Sequence, residues 1–68
     1  MLNEIIMDRL KAARKNQELT QDELAKLVGL NRNAVSFYEC GRTSPTLDTI
    51  EDIMTALGIT PKELFKNL

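Results

Sequence analysis

The side chains that could do covalent or acid–base chemistry in this sequence are few. Histidine does not occur, and cysteine occurs once, at Cys40. A nucleophile needs a base within hydrogen-bond reach, and Cys40 has no candidate for one. It reads as a small loop residue. A single thiol cannot close an internal disulfide, and without histidine or further cysteine the usual ligand set of a zinc site is missing. Nor is there a glycine-rich phosphate loop or a metal-ligand spacing. These absences predict no enzyme, no metal site and no cofactor. Recognition through hydrogen bonds, charge and apolar contact is what remains to the side chains.

The elements that would position such contacts are all helical. The 68 residues, with 43% apolar content and a net charge of -1, predict one small domain over residues 1–68 with a single core. A chain of this size buries only about 60% of its unfolded surface, so its core must be tight or completed by a partner. Its longest uninterrupted apolar stretch is Ile5 to Met7, far short of the roughly 20 residues that span a bilayer. A basic segment followed by an apolar run is also missing at the start, so no signal peptide and a reducing cytoplasm are expected.

Apolar spacings of three and four predict five short helices. The first covers about 2–16, with Ile6, Leu10 and Ala13 on one face, and Leu19 anchors its exit. Thr20 is a good N-cap and Glu23 closes a capping box, ahead of a stripe of Leu24, Ala25 and Val28. Gly29 ends that helix, and Asn31 caps a third through Glu39 with Val35 and Tyr38 inward. After a loop from Cys40 to Pro45, Thr46 caps a fourth helix whose Leu47, Ile50, Ile53, Met54 and Leu57 follow a helical period. Gly58 stops it, and Thr60 with Pro61 opens a fifth helix carrying Leu64 and Phe65.

The second and third helices are separated only by Gly29 and Leu30, too few residues for an antiparallel hairpin and enough for a sharp turn. Ala25 is small enough for close approach, Gly29 supplies a positive φ, and Leu24 and Val35 fill the angle. Together, residues 21–39 follow the helix-turn-helix plan, in which two helices cross near 90 to 120°. The order Gln21, Ala25, Gly29, Val35, with Thr20 before it and Glu39-Cys40-Gly41-Arg42 after it, resembles the Cro and repressor-like helix-turn-helix regulators of phages and bacteria. The likeness covers nearly the whole chain through four stretches in register: TQDELA, VGLNRNAVSFYECGR, SPTLDTI and ALGITPKELF.

That resemblance implies a five-helix, repressor-like domain that binds double-stranded DNA, inserting its third helix in the major groove. The groove-facing positions hold Asn31, Arg32, Asn33, Ser36 and Phe37. Arg32 suits guanine O6 and N7, Asn33 suits adenine N6 and N7, and Phe37 suits a thymine methyl. Phe37 departs from the Arg, Lys or Gln more usual there; folding back beside Tyr38 and contacting a protein partner stay open for it. Gln21 matches the family's phosphate-anchoring glutamine, and Arg42, Thr43 and Ser44 are candidates for a second phosphate. The resemblance further implies a buried ion pair between Arg14 and Glu39. It also implies a symmetric homodimer on a roughly palindromic operator, paired through Ile59, Pro61, Phe65 and Leu68.

Charge placement agrees with a local interface. Residues 1–42 carry seven Lys or Arg and six Asp or Glu, and residues 43–68 carry two and four. The gradient is slight, so affinity should rest on a few placed cations and a shallow salt dependence. A transcription regulator, most simply a repressor, is the leading reading, and 68 residues leave no room for a sensing domain beside it. The rival is an antitoxin-like or bridging module whose helices bind a second protein, with DNA contact secondary; Phe37 and Leu27 would serve it.

Overall fold

Five helices make up residues 2–68, the residues described by the computed structural model; Met1, where the expected domain begins, lies outside them. They are α1 (Leu2–Asn16), α2 (Gln21–Val28), α3 (Arg32–Glu39), α4 (Leu47–Leu57) and α5 (Pro61–Leu64). No strand occurs among the described residues, so the all-α expectation holds. The Cα radius of gyration is 10.8 Å.

Each start after α1 is fixed by a side-chain oxygen that accepts from an otherwise orphaned N–H. Thr20 Oγ1 accepts from Glu23 N–H at 3.0 Å, Asn31 Oδ1 from Ala34 N–H at 2.8 Å, and Thr46 Oγ1 from Thr49 N–H at 3.2 Å. Thr60 Oγ1 accepts from Glu63 N–H, also at 3.2 Å. At α2 and α5 the glutamate of the first turn returns a bond to the cap's own N–H, closing a capping box. Gly29 (φ 72°) and Gly58 (φ 68°) end α2 and α4 in the left-handed region, where the missing Cβ removes the penalty. At the end of α1 the same conformation falls on Glu18 (φ 59°).

The core draws on every element. Leu10, Leu24, Val35, Ile53 and Leu64 are almost wholly buried, and burying a side chain of this kind contributes about 1.5 to 3 kcal/mol. Ala25 is equally buried on α2, where a larger side chain would hold α3 away. Val28, Leu19, Ala13 and Tyr38 pack at its edge.

One apolar expectation is corrected. Leu47, in period with Ile50, is 77% exposed at the first residue of α4. Phe65 lies outside the fifth helix; α5 ends at Leu64 and Phe65 is its C-cap, its N–H bonded to Pro61 O.

Long polar side chains of α1 and of the turn after it hold down the C-terminal half. Arg9 Nη1 donates to Leu64 O at 2.7 Å and Lys66 O at 2.6 Å, and Gln17 Nε2 donates to Leu57 O at 2.6 Å. Leu57 O and Leu64 O are carbonyls that the ends of α4 and α5 leave unpaired. No described helix is long and apolar enough to cross a membrane.

Candidate nucleic-acid interface

The relation of α3 to its scaffold is set by one buried polar node. Arg14 Nε donates to Glu39 Oε2 at 2.7 Å and Arg14 Nη2 to Glu39 Oε1 at 2.9 Å, a two-pronged pair. The side chains are 8% and 3% exposed. Arg14 Nη1 reaches Leu19 O at 2.6 Å, and Gln21 Nε2 donates to Glu39 Oε1 at 3.0 Å. Thus α1, α2 and α3 meet at a single carboxylate. Among the described residues no buried side-chain polar atom lacks a partner, the condition under which a buried charge is tolerable. Burial pushes the Glu39 carboxyl up, but the hydrogen bonds from Arg14 and Gln21 and the charges of Arg14 and Lys11 outweigh it, holding it below its usual value.

Along the outward side of α3 the candidate base-reading residues divide by how free they are. Arg32 and Asn33 are exposed, and among the described residues no hydrogen bond or ion pair engages either side chain. Asn31 is exposed too, but its Oδ1 caps the helix, which commits one of its two acceptor lone pairs and leaves both amide N–H groups for another partner. Ser36 is half-buried. Phe37 is 37% exposed and stays out of the core, while Tyr38 packs against its edge.

The loop after α3 folds back onto Phe37. Phe37 O accepts from Arg42 N–H at 2.9 Å and from Thr43 N–H at 3.4 Å, and the Arg42 guanidinium lies over the Phe37 ring, 5.1 Å from its centroid. Arg42, Thr43 and Ser44 are all exposed. Of the candidate phosphate-binding residues, only Gln21 is drawn inward, half-buried and bonded to Glu39. Lys26, paired with Asp22 at 3.3 Å on exposed surface, adds little to stability.

Of the residues expected at a dimer contact, Ile59 is half-buried against the core, while Pro61, Phe65 and Leu68 are exposed. Sequence reasoning missed the Gln21 bond to Glu39 and the Arg42 stack on Phe37. Both join residues across an element boundary, where helical spacing gives no signal.

A helix-turn-helix family model matches residues 10–64. The chain belongs to the Cro/repressor-like helix-turn-helix family. This helix-turn-helix chain is 43% identical over 51 residues to the immunity repressor of Bacillus phage phi105; the match takes in 75% of the chain and 35% of that repressor. It therefore spans about a third of that relative's length. Among solved structures it is similar to the restriction-modification controller protein C.AhdI from Aeromonas hydrophila, with a TM-score of 0.83 and 38% identity over 93% of this chain and 96% of that one. It is also similar to the P22 c2 repressor in complex with a synthetic operator, with a TM-score of 0.77 and 31% identity over 90% and 92% of the two chains.

Proposed function

We propose that this helix-turn-helix unit is the DNA-binding part of a transcriptional repressor, reading double-stranded operator DNA with α3 in the major groove. The observation that carries this reading is the first turn of α3. Arg32 and Asn33 stand there exposed and unengaged, and that turn contains no acidic side chain. A guanidinium and a carboxamide held in that state are the two groups best matched to guanine and adenine edges. The likeness to an operator-bound repressor supports the same assignment. Ser36 and Phe37 extend the reading surface by one turn, and Arg42, Thr43, Ser44 and Gln21 supply backbone contacts around it.

A helix of eight residues reads only a few base pairs, so site choice in a genome calls for two copies. We place the pairing surface at Ile59, Pro61, Phe65 and Leu68, supported by the 42% and 53% exposure of Phe65 and Leu68. A two-fold axis there, with the two α3 helices about 34 Å apart, suits half-sites one helical turn from each other.

Selection from a random duplex pool followed by a mobility-shift assay tests the DNA reading: enrichment of a roughly palindromic sequence is expected, and no enrichment sinks it. Sedimentation of the wild type and of Phe65→Glu tests the dimer, which the substitution should dissociate. Equal sedimentation of both as monomers rules out this surface. Stoichiometric co-purification of a second polypeptide, with no enrichment from the pool, favours the antitoxin-like reading instead.

A further inference from the structure

The Arg42 stack on Phe37 sits where a reading surface and a phosphate contact meet. We propose that Phe37 and Arg42 form one readout unit, in which Arg42 holds the Phe37 ring in place to sense the 5-methyl group of a thymine. This rests on the reading of α3 as the major-groove helix and adds to it both a chemical specificity and the residue that enforces it.

A phenyl ring offers a base no conventional hydrogen bond, so Phe37 can discriminate only through apolar contact. In the major groove the apolar group that varies with sequence is the thymine methyl. An exposed aromatic side chain would ordinarily exchange rotamers on a nanosecond scale, and a mobile ring reads poorly. Here the ring is tied down twice. Its own backbone carbonyl accepts the Arg42 and Thr43 N–H groups, which fixes the loop against the end of α3, and the guanidinium then covers the ring at 5.1 Å.

A guanidinium lying over a ring keeps N–H donors for other partners. Among the described residues no acidic side chain pairs with Arg42 and no hydrogen bond engages its guanidinium, so those donors are available to a phosphate oxygen. A phosphate drawn to Arg42 therefore sets the ring position, and the ring position sets the methyl contact. In this arrangement Arg42 is a positioning residue for Phe37 as well as a cation for the backbone.

Uracil for thymine removes only the methyl and is the direct probe. In the duplex enriched from a random pool, thymines are replaced by uracil one at a time and dissociation constants are compared. For the wild type, one position per half-site should weaken about three- to five-fold, the size of one buried methyl. Phe37→Ala should bind the thymine and uracil duplexes equally. Arg42→Lys keeps the charge but loses the planar stack, so it should retain most of the affinity while its thymine-to-uracil ratio falls toward one. Arg42→Ala should lose both. If Arg42→Lys and Arg42→Ala keep the wild-type ratio while affinity falls, Arg42 is an independent phosphate clamp and the unit does not exist. A wild-type ratio of one at every thymine overturns the methyl contact while leaving DNA binding by α3 intact. Failure to enrich any duplex removes the parent reading, and this one with it.

Discussion

The first turns of α2 and α3 start from the same plan and are completed in opposite ways. Each opens on a polar cap, Thr20 or Asn31, whose side chain accepts the N–H three residues on. In α2 the third position is Glu23, which returns a bond to Thr20 N–H at 2.9 Å, and Asp22 beside it adds a second negative charge at the positive end of the helix. Hydrogen bonds from the Thr20 N–H and hydroxyl lower the Glu23 pKa, so its charge persists there. In α3 the third position is Ala34, the turn has no acid, and its first residue is Arg32. Acidic groups at a helix start stabilise it by about 0.3 to 1 kcal/mol each, and α3 goes without them while adding a cation. The contrast teaches that α2 is finished as scaffold. The α3 terminus is left with an uncompensated positive field, a local cost in stability that a polyanionic partner can offset.

The largest test of this contrast is at Glu39, through which scaffold and reading helix are joined. Glu39→Ala leaves Arg14 buried without its partner and frees Gln21, so it should cost roughly 3 to 5 kcal/mol, a large part of the stability of so short a chain. Urea denaturation at neutral pH measures it, and an unchanged midpoint would mean that α3 is held by the apolar core alone. The pH dependence has a definite sign. Glu39 is held below the ordinary glutamate value in the fold, so as pH falls the unfolded chain takes up the proton first. The stabilisation is complete above that value and is lost as pH drops below it. Glu39→Gln should flatten this acid limb, leaving the smaller share that the lowered Glu23 carries.

A second, intermediate effect separates the two first turns by what they contact. Arg32→Ala should erase preference at one base position per half-site, worth about 1 to 3 kcal/mol against the wrong base. Gln21→Ala should weaken all sequences alike. Gln21→Ala should also lower the melting temperature, because its amide reaches Glu39. Affinity and stability falling together there, with base preference intact, would mark α2 as scaffold first. A uniform loss in Arg32→Ala would instead make Arg32 a phosphate contact.

These differences were unevenly legible in the sequence. The caps, the glycine stops and the Leu24, Ala25 and Val35 positions could be read directly, because they depend on contacts within a turn or on a single helical face. Leu47 shows the limit of that rule: its spacing is in period with Ile50, but period cannot say that the helix is uncovered at that end. The Arg14–Glu39 pair came from family resemblance, since nothing local links residues 25 positions apart. Nothing in their spacing singles out Arg9 or Gln17, yet each reaches a carbonyl at least 40 residues away. At the candidate interface, residue types announced Arg32 and Asn33, whereas Gln21 turning inward and Arg42 lying on Phe37 became visible only with the loop in place.

The smallest and most pointed test converts one first turn toward the other. Asn33 is exposed at the second residue of α3, and Asn33→Asp changes its charge with almost no change in shape. If the α3 terminus lacks only a negative charge, the variant should gain about 0.3 to 1 kcal/mol in stability, read as a higher melting temperature at low salt that converges on the wild type as salt screens the field. The same carboxylate would face the phosphates and base edges of a bound duplex, so operator affinity should fall while the fold becomes more stable. Opposite movement of the two measurements is what distinguishes a binding surface from an unfinished helix. A variant that melts higher and binds as well as the wild type would remove the first turn of α3 from the DNA, and a variant that melts lower would show that the cap at Asn31 already satisfies it.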